Sequence, residues 1–276
     1  MAQYDMADTL GAFLRARRAL VTPEQAGLPA GARRRVPGLR REEVALLAGI
    51  SPEYYLRLEQ GRNRHPSDRI VTALAAALLL DQDAAAYLHR LARPTPTPTG
   101  GRQRPRTGRD DHAGLRALLD NWPGTPAYAH GPGGRVLAAN RLAALLCPHY
   151  AVGRNPLRAA FLAPDMRRLY PQWDEMTAKV VSGLRTVLDV DDADPELLET
   201  IRELTLASER FATLWARREV RRRDTGRSRL DHPVVGRLDL RYEKLLRPGT
   251  RELIVVYYPD PDSPDAERQL RLLEAS

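Results

Sequence analysis

Residues Leu39 to Gly61 read LRREEVALLAGISPEYYLRLEQG, two short amphipathic segments on either side of a glycine. The first predicts a helix from Arg41 to Ala48, because Val44, Ala45 and Ala48 fall at the spacing of one buried stripe. Gly49 supplies the turn: without a Cβ it enters the left-handed conformation that reverses a chain within a few residues. Ser51 then offers an oxygen to the unpaired N–H groups of a second helix, Pro52 suits its first position, and Ile50 is placed to pack on Tyr55 as a hydrophobic staple. With Tyr55 and Leu58 pointing inward, Glu53, Tyr54 and Arg57 face outward, and Gly61 is placed to close the helix. Two helices joined in this way make a helix-turn-helix, whose second helix reads base edges in the major groove with its first turns. An Arg there binds a guanine edge in bidentate fashion. Hairpin geometry alone leaves DNA binding and plain packing equally open.

The flanking segments complete a bundle. A helix from Asp8 to Leu20 puts Leu10, Phe13 and Leu14 on its apolar face. Ser67 to Leu80 carries Ile70, Val71, Leu74 and Leu78, and Asp83 to Ala92 carries Tyr87, Leu88 and Leu91. Arg18 on the first helix is placed to reach Glu59 across the core, and a buried Arg–carboxylate pair satisfies both charges.

Charge follows the same division. The chain holds 43 Lys plus Arg against 35 Asp plus Glu, a net +8. Residues 1–92 carry 13 basic and 10 acidic side chains, residues 93–109 carry 5 and none, and residues 110–276 carry 25 of each. The whole excess therefore precedes residue 110. Arg33, Arg34, Arg35, Arg40 and Arg41 crowd the approach to the second helix, and Arg62 and Arg64 follow the recognition helix. Beside a helix-turn-helix such residues contact phosphates, which fix register, supply much of the affinity and make it salt-sensitive. The Arg33–Arg35 loop could also enter the adjoining minor groove. From Arg93 to Arg109, alternating Pro and Thr, a Gly pair and four more arginines read as a linker.

A chain of 276 residues with 43% hydrophobic content accommodates two domains. No apolar run approaches the ~20 residues that span a bilayer, and MAQYDMADTL lacks the pattern of a secretory leader, so a cytoplasmic protein without a membrane partner is expected. Cys147, in the apolar run AALLC, cannot form an internal disulfide and reads as a small core residue, with a redox sensor as the alternative. The six His, at 65, 89, 112, 130, 149 and 232, show no ligand spacing, so neither a metal site nor a cofactor is implied.

Beyond the linker, a helix over His112–Asn121 precedes two strands, Thr125–His130 and Arg135–Ala139, around a Gly-Pro-Gly-Gly turn. Asn140 then caps a helix with Leu142, Leu145 and Leu146. Helices are expected over 156–163, 165–188, 194–206 and 208–219, strands over Leu230–Val235, Gly236–Leu245 and Glu252–Tyr258, and a last helix over Pro264–Leu273. Two strands, several helices and three strands imply an α+β domain, an antiparallel sheet with helices gathered on one face, which is the general plan of a PAS-like sensor.

These motifs carry two resemblances. EEVALLAGIS, YYLRLEQGR and the following Pro66–Ser67 resemble the phage-repressor-type helix-turn-helix, also called the xenobiotic-response-element (XRE) or Cro/CI type, and GLPAGARRRVPGLRREE over Gly27–Glu43 is similar to its longer basic form. That family often caps the second helix with Ser or Thr; Arg40 stands there, and Gly38 is the expected replacement cap. TPAYAHGPGGRVLAANRLAALL, RNPLRAAFLAPDMRRLYPQWDEM, the stretch from Ser208 to Leu245 and ELIVVYYPDPDSPDAERQLRLL resemble the C-terminal domain of MmyB-like regulators. The resemblance implies residues 1–92 as an all-α DNA-binding domain, 93–111 as linker, and 112–276 as a PAS-like domain that binds a small ligand and dimerises.

A pocket between sheet and helices would be lined by Tyr128, Phe161, Tyr170, Trp173, Trp215 and Tyr242, with Asn140 and His232 to orient a ligand, and such a lining fits an apolar or amphipathic, lipid-like effector. Core packing is the competing account of every one of these aromatics. No Gly-rich phosphate loop and no nucleophile-elbow motif is present, which argues against an enzyme. The implied mechanism is a homodimer on a roughly palindromic operator, biased by ligand; a ligand-independent repressor whose C-terminal domain only dimerises stays open.

Overall fold

The computed structural model describes residues 10–29, 36–63, 65–93, 109–187, 194–221 and 224–276. The chain forms two compact units. One gathers residues 1–99 with 181–192 and 213–222; the other comprises residues 100–180, 193–212 and 223–276.

In the first unit five helices, α1 (Leu10–Leu20), α2 (Arg41–Ala48), α3 (Pro52–Glu59), α4 (Asp68–Ala77) and α5 (Gln82–Ala92), close on a core that includes Phe13, Leu14, Leu39, Val44, Tyr55, Leu58, Leu74 and Leu88. Phe13 meets Tyr87 edge-on at 5.3 Å, so α1 and α5 are joined by an aromatic pair. Two expected ends shift. Arg40, not Gly38, is the N-cap of α2: a guanidinium has no acceptor to give, and instead the Glu43 carboxylate accepts from the Arg40 N–H at 2.6 Å, half of a capping box. Helix α4 stops at Ala77 and not at Leu80, because Leu79 turns into the left-handed region (φ 49°) and Leu80 donates back to the Ala75 carbonyl at 2.9 Å.

The second unit opens with α6 (Arg109–Asp120), β1 (Ala127–His130), β2 (Val136–Ala139) and α7 (Arg141–Leu146). Helices α8 (Pro156–Leu162), α9 (Pro164–Leu169), α10 (Trp173–Val187), α11 (Pro195–Ala207) and α12 (Glu209–Ala216) follow, then β3 (Thr225–His232), β4 (Gly236–Leu246), β5 (Leu253–Pro259) and α13 (Ala266–Glu274). Helices α10 and α12 begin in this unit and end in the first. The strands form one antiparallel sheet in the order β2-β1-β5-β4-β3.

Period-two alternation gives the sheet two apolar faces. Tyr128, Val255 and Tyr257 turn to a core built with Leu142, Leu146, Leu169 and Leu270, while Ala127, Ala129 and Ile254 turn to Leu115 and Leu119 of α6. The helices are thus not gathered on one face: α6 covers the other. The helix expected over 165–188 is two helices, since Pro171 disfavours helical backbone at Tyr170, which is extended (φ −109°, ψ 94°). Strand β3 begins at Thr225, five residues before the expected start, and pairs in unbroken register from Thr225 opposite Glu243 to His232 opposite Gly236.

Asn140 ties the first hairpin to the helices on either side. Its Oδ1 accepts from the N–H groups of Ala127 (3.1 Å) and Ala143 (3.0 Å), and its Nδ2 donates to the carbonyls of Leu119 (3.2 Å) and Thr125 (2.7 Å). Asn140→Ala removes a helix cap and orphans a buried strand N–H, so urea denaturation is expected to record a loss of about 2–4 kcal/mol. A loss under about 0.5 kcal/mol, the range of an ordinary surface change, contradicts this role.

Candidate DNA interface and effector site

The turn between α2 and α3 is built as its residue types require. Gly49 is left-handed (φ 64°), and Ile50 donates to the Ala45 carbonyl at 3.0 Å. Ser51 Oγ accepts from the Tyr54 N–H at 3.1 Å, and Pro52 opens α3. The far end closes on Gly61 (φ 69°): Gly61 donates to Leu58 O at 3.1 Å and Arg62 to Arg57 O at 3.0 Å, the paired bonds of a Schellman motif. Between these ends Tyr55 and Leu58 are buried, Ser51, Glu53 and Arg57 are exposed, and Tyr54 is half-buried. The Arg57 guanidinium lies 5.8 Å from the Tyr54 ring centroid. Arg62 is exposed just beyond the helix; Arg33, Arg34, Arg35 and Arg64 lie outside the described residues.

Glu59, the last residue of α3, has a side chain with no exposed surface. Its carboxylate accepts from Arg18 Nε and from Arg41 Nε, each at 2.7 Å. Arg18 also donates to the Leu39 carbonyl at 2.9 Å, and Arg15 to the Glu59 carbonyl at 3.2 Å. The expected Arg18–Glu59 contact is therefore present, with Arg41 as a third member; the Arg41 side chain stays 47% exposed. Burial by itself favours the protonated Glu59, but the hydrogen bonds and charges of the two guanidinia outweigh it, so the carboxyl sits below its ordinary 4.5. Gly11 is a positioning residue that the sequence pattern had not singled out. A Cβ there would stand 2.4 Å from the Glu59 carbonyl oxygen, so α1 lies against the end of α3 only without a side chain. A glycine inside an amphipathic helix was the available signal, since it costs about 1 kcal/mol against Ala and needs a reason.

In the second unit Tyr128 and Tyr170 are drawn together with Tyr150 and Tyr257. The Tyr128 and Tyr150 rings stack at 4.5 Å, and Tyr150 and Tyr257 at 5.8 Å. The Tyr150 hydroxyl bonds both to Tyr170 and, at 3.1 Å, to Tyr257. Burial drives all four phenols above their ordinary range, Tyr257 to about 12. Tyr242 lies 6.2 Å from the Tyr257 ring, and Phe161 and Trp173 pack at the edge of the same core. The other predicted residues are occupied elsewhere. Asn140 spends its amide on the hairpin described above, His232 uses its two ring nitrogens on Leu145 O (3.1 Å) and the Val234 N–H (3.2 Å), and Trp215 belongs to the first unit under Arg185. Tyr150 and Tyr257 are the members that the sequence-based site lacked. A separate cleft of about 460 Å³ is charged, with Lys179, Arg227 and Arg229 facing Glu175, Asp239 and Asp260. Among the described residues no cluster of His, Cys, Asp and Glu could hold a metal ion, and no helix is long and apolar enough to cross a membrane.

Residues 112–273, more than half of the chain, match the sequence profile of the MmyB-like transcription regulator ligand binding domain. The chain belongs to the MmyB-like transcription regulators. Residues 9–88 match a helix-turn-helix domain, so this regulator joins a DNA-binding bundle to an α+β ligand-binding domain. No curated protein sequence matches it.

Three measurements test this reading of the MmyB-like regulator. Arg18→Ala removes one of the two guanidinia on Glu59 and leaves Arg41, so it is expected to cost about 1.5–3 kcal/mol in urea denaturation. Because the folded pKa of Glu59 is depressed, its stabilising contribution is full above the ordinary 4.5 and is lost as pH falls through the folded value. Wild type is therefore expected to lose more stability than Glu59→Gln between pH 6 and 3, and parallel pH curves contradict the assignment. Cys147 is buried, with its thiol pushed up to about 12, so iodoacetamide is expected to label it only in the unfolded chain.

Proposed function

We propose that this transcription regulator binds a specific operator through α3 and that its C-terminal domain senses a small apolar or amphipathic molecule. The observation that carries the DNA reading is the division of α3. One face and its C-terminal end are locked by Tyr55, Leu58 and Glu59, and the other presents Glu53, Tyr54 and Arg57. Arg57 is the base reader, Glu53 and Tyr54 supplement it, and Ser51 doubles as helix cap and backbone contact. Arg41, Arg62 and the arginines at 33, 34, 35 and 64 meet phosphates. Two subunits pair and set their recognition helices about 34 Å apart, one DNA turn, and the protein works in the cytoplasm, where it meets the chromosome. Residues 1–92 are proposed as the DNA-binding domain, 93–111 as its linker and 112–276 as the sensing and dimerising domain.

Support for a ligand with an apolar body and a hydrogen-bond-accepting group comes from the phenol cluster. Tyr150, Tyr170 and Tyr257 bring three phenol hydroxyls together inside one apolar core, where a hydroxyl could turn from its neighbour to an acceptor on a ligand. Tyr128, Tyr242, Phe161 and Trp173 would line the apolar part. The dense stacking of the same rings favours a second reading, in which this domain only dimerises and the protein represses without ligand.

Selection of bound sequences from random DNA, followed by fluorescence anisotropy, tests the DNA reading. Arg57→Ala is expected to weaken the selected operator tenfold to a hundredfold, about 1–3 kcal/mol, and to leave non-specific binding nearly unchanged. Replacing Arg33, Arg34 and Arg35 together lowers both and flattens the salt dependence. Equal loss on all sequences for Arg57→Ala removes it as a base reader. Native mass spectrometry of the full-length protein separates the two readings of the second domain: a discrete co-purified molecule supports sensing, and a ligand-free dimer supports the second reading.

A further inference from the structure

The helical unit is not made of its N-terminal sequence alone. Residues 181–192 and 213–222 belong to it, although both stretches lie inside the match to the ligand-binding domain. Val220 is 2% exposed and is a member of the same apolar core as Leu10, Phe13, Leu14, Tyr87 and Leu88. Its neighbours fix it there. Arg221 reaches Asp81, the N-cap of α5, at 3.6 Å, and its N–H donates to the Ser182 carbonyl at 3.2 Å. Arg17 of α1 is largely buried and lies within the electrostatic reach of Asp81, Glu219 and Arg221. The segment thus lies against α1 and the start of α5.

What leads into Val220 is held by local contacts along α12. Helix α12 starts from a Ser208 cap, whose Oγ accepts from the Phe211 N–H at 3.2 Å, and Phe211 is buried edge-on against Phe161 at 5.0 Å. Its last turn carries Trp215, stacked 3.8 Å from the fully buried guanidinium of Arg185, which also donates to the Trp215 carbonyl. Arg218 then turns the chain in the left-handed region (φ 52°), a conformation a non-glycine residue keeps only where its surroundings hold it.

We propose that residues Thr213 to Arg221 form a coupling strap: the ligand-binding sequence supplies Val220 to the core of the DNA-binding bundle, so that a change at the Phe211 end of α12 alters the order of α1 and α5 and the operator affinity of α3. This rests on the DNA reading above for its last step only. The device needs no contact between ligand and DNA-binding helices, because α12 and the strap are one continuous chain.

A double-mutant cycle on the full-length protein tests it without an effector. Val220→Thr places a hydroxyl in the bundle core at nearly constant volume, and Phe211→Leu disturbs the other end of α12; Val220→Ala and Phe211→Met serve if either variant fails to fold by circular dichroism. Hydrogen exchange is read first, and needs no DNA. Phe211→Leu is expected to raise exchange in α1 and α5 at least fivefold, and the double variant to exceed Val220→Thr by less than twofold. On the operator selected with wild-type protein, Phe211→Leu is expected to shift Kd at least fivefold when Val220 is present and less than twofold when it is Thr. Exchange in α1 and α5 that stays at wild-type values in Phe211→Leu overturns the strap, as do effects of the two substitutions that simply multiply. Failure to select any operator removes the DNA reading and leaves the exchange cycle to decide the strap.

Discussion

A single carboxylate holds the second helix of the helix-turn-helix in place. Glu59 stands at the C-terminal end of α3 and accepts from one Arg of α1 and one of α2, while that α1 Arg also binds the Leu39 carbonyl ahead of α2. Four chain segments therefore depend on one buried charge. An ion pair of this kind adds little net stability over an apolar replacement, but it is costly to break, so it acts as a selector of geometry more than as a source of energy. Two glycines make the selection possible by letting backbones touch: Gly11 under the Glu59 carbonyl, and Gly38, where a Cβ would come within 2.6 Å of the Arg18 and Ala19 carbonyls. With the rear of the helix so fixed, the outward side chains of α3 are held in one arrangement, and the Tyr54 ring near the Arg57 guanidinium restricts it further.

The second domain places its polar groups by a different rule. Asn140 and His232 satisfy strand ends and helix ends, and each has used its bonding capacity on backbone. The phenols have no such assignment, because they meet each other and not backbone. Hydroxyls bonded among themselves satisfy one another without fixing a strand or helix end, and burial makes each of those bonds costly to lose.

How legible all this was in the sequence depends on the range of the interaction. The helix-turn-helix was readable because every feature it needs is local: Gly49, Ser51 and Pro52 act within a few residues of themselves, and the stripe of Val44, Ala45 and Ala48 repeats within two turns. Arg18 with Glu59 was readable because the bundle's inner faces can be drawn from periodicity. Strand β3 was foreshortened because its first half, TGRSR, alternates arginines with small residues on an exposed edge and carries no apolar signal. Helix α6 was found but its face of the sheet was not, since Ala127 and Ala129 look like filler until a helix is laid on them. Trp215 and Asn140 were assigned to a pocket from residue type alone, and residue type does not say which partners the fold brings. Val220, in the charged run REVRRR, gave no signal at all; its burial is set by contacts with residues more than a hundred positions away.

That last contact has the right size for a switch. Burying a Val side chain is worth about 1.5–3 kcal/mol, and allosteric couplings fall at about 1–3 kcal/mol. An aromatic plug would hold the bundle too firmly for a ligand of ordinary affinity to disturb, and an Ala would transmit almost nothing. The arginines around Val220 refine this balance: Arg221 on Asp81 is half-exposed and contributes little, so the strap is held chiefly by one apolar side chain and the stacked Arg185–Trp215 pair behind it. A device held by so few groups can be released by a modest rearrangement at the base of α12, and a bundle that loses one core residue loosens without losing the ion pairs of Glu59, which involve none of the strap's residues.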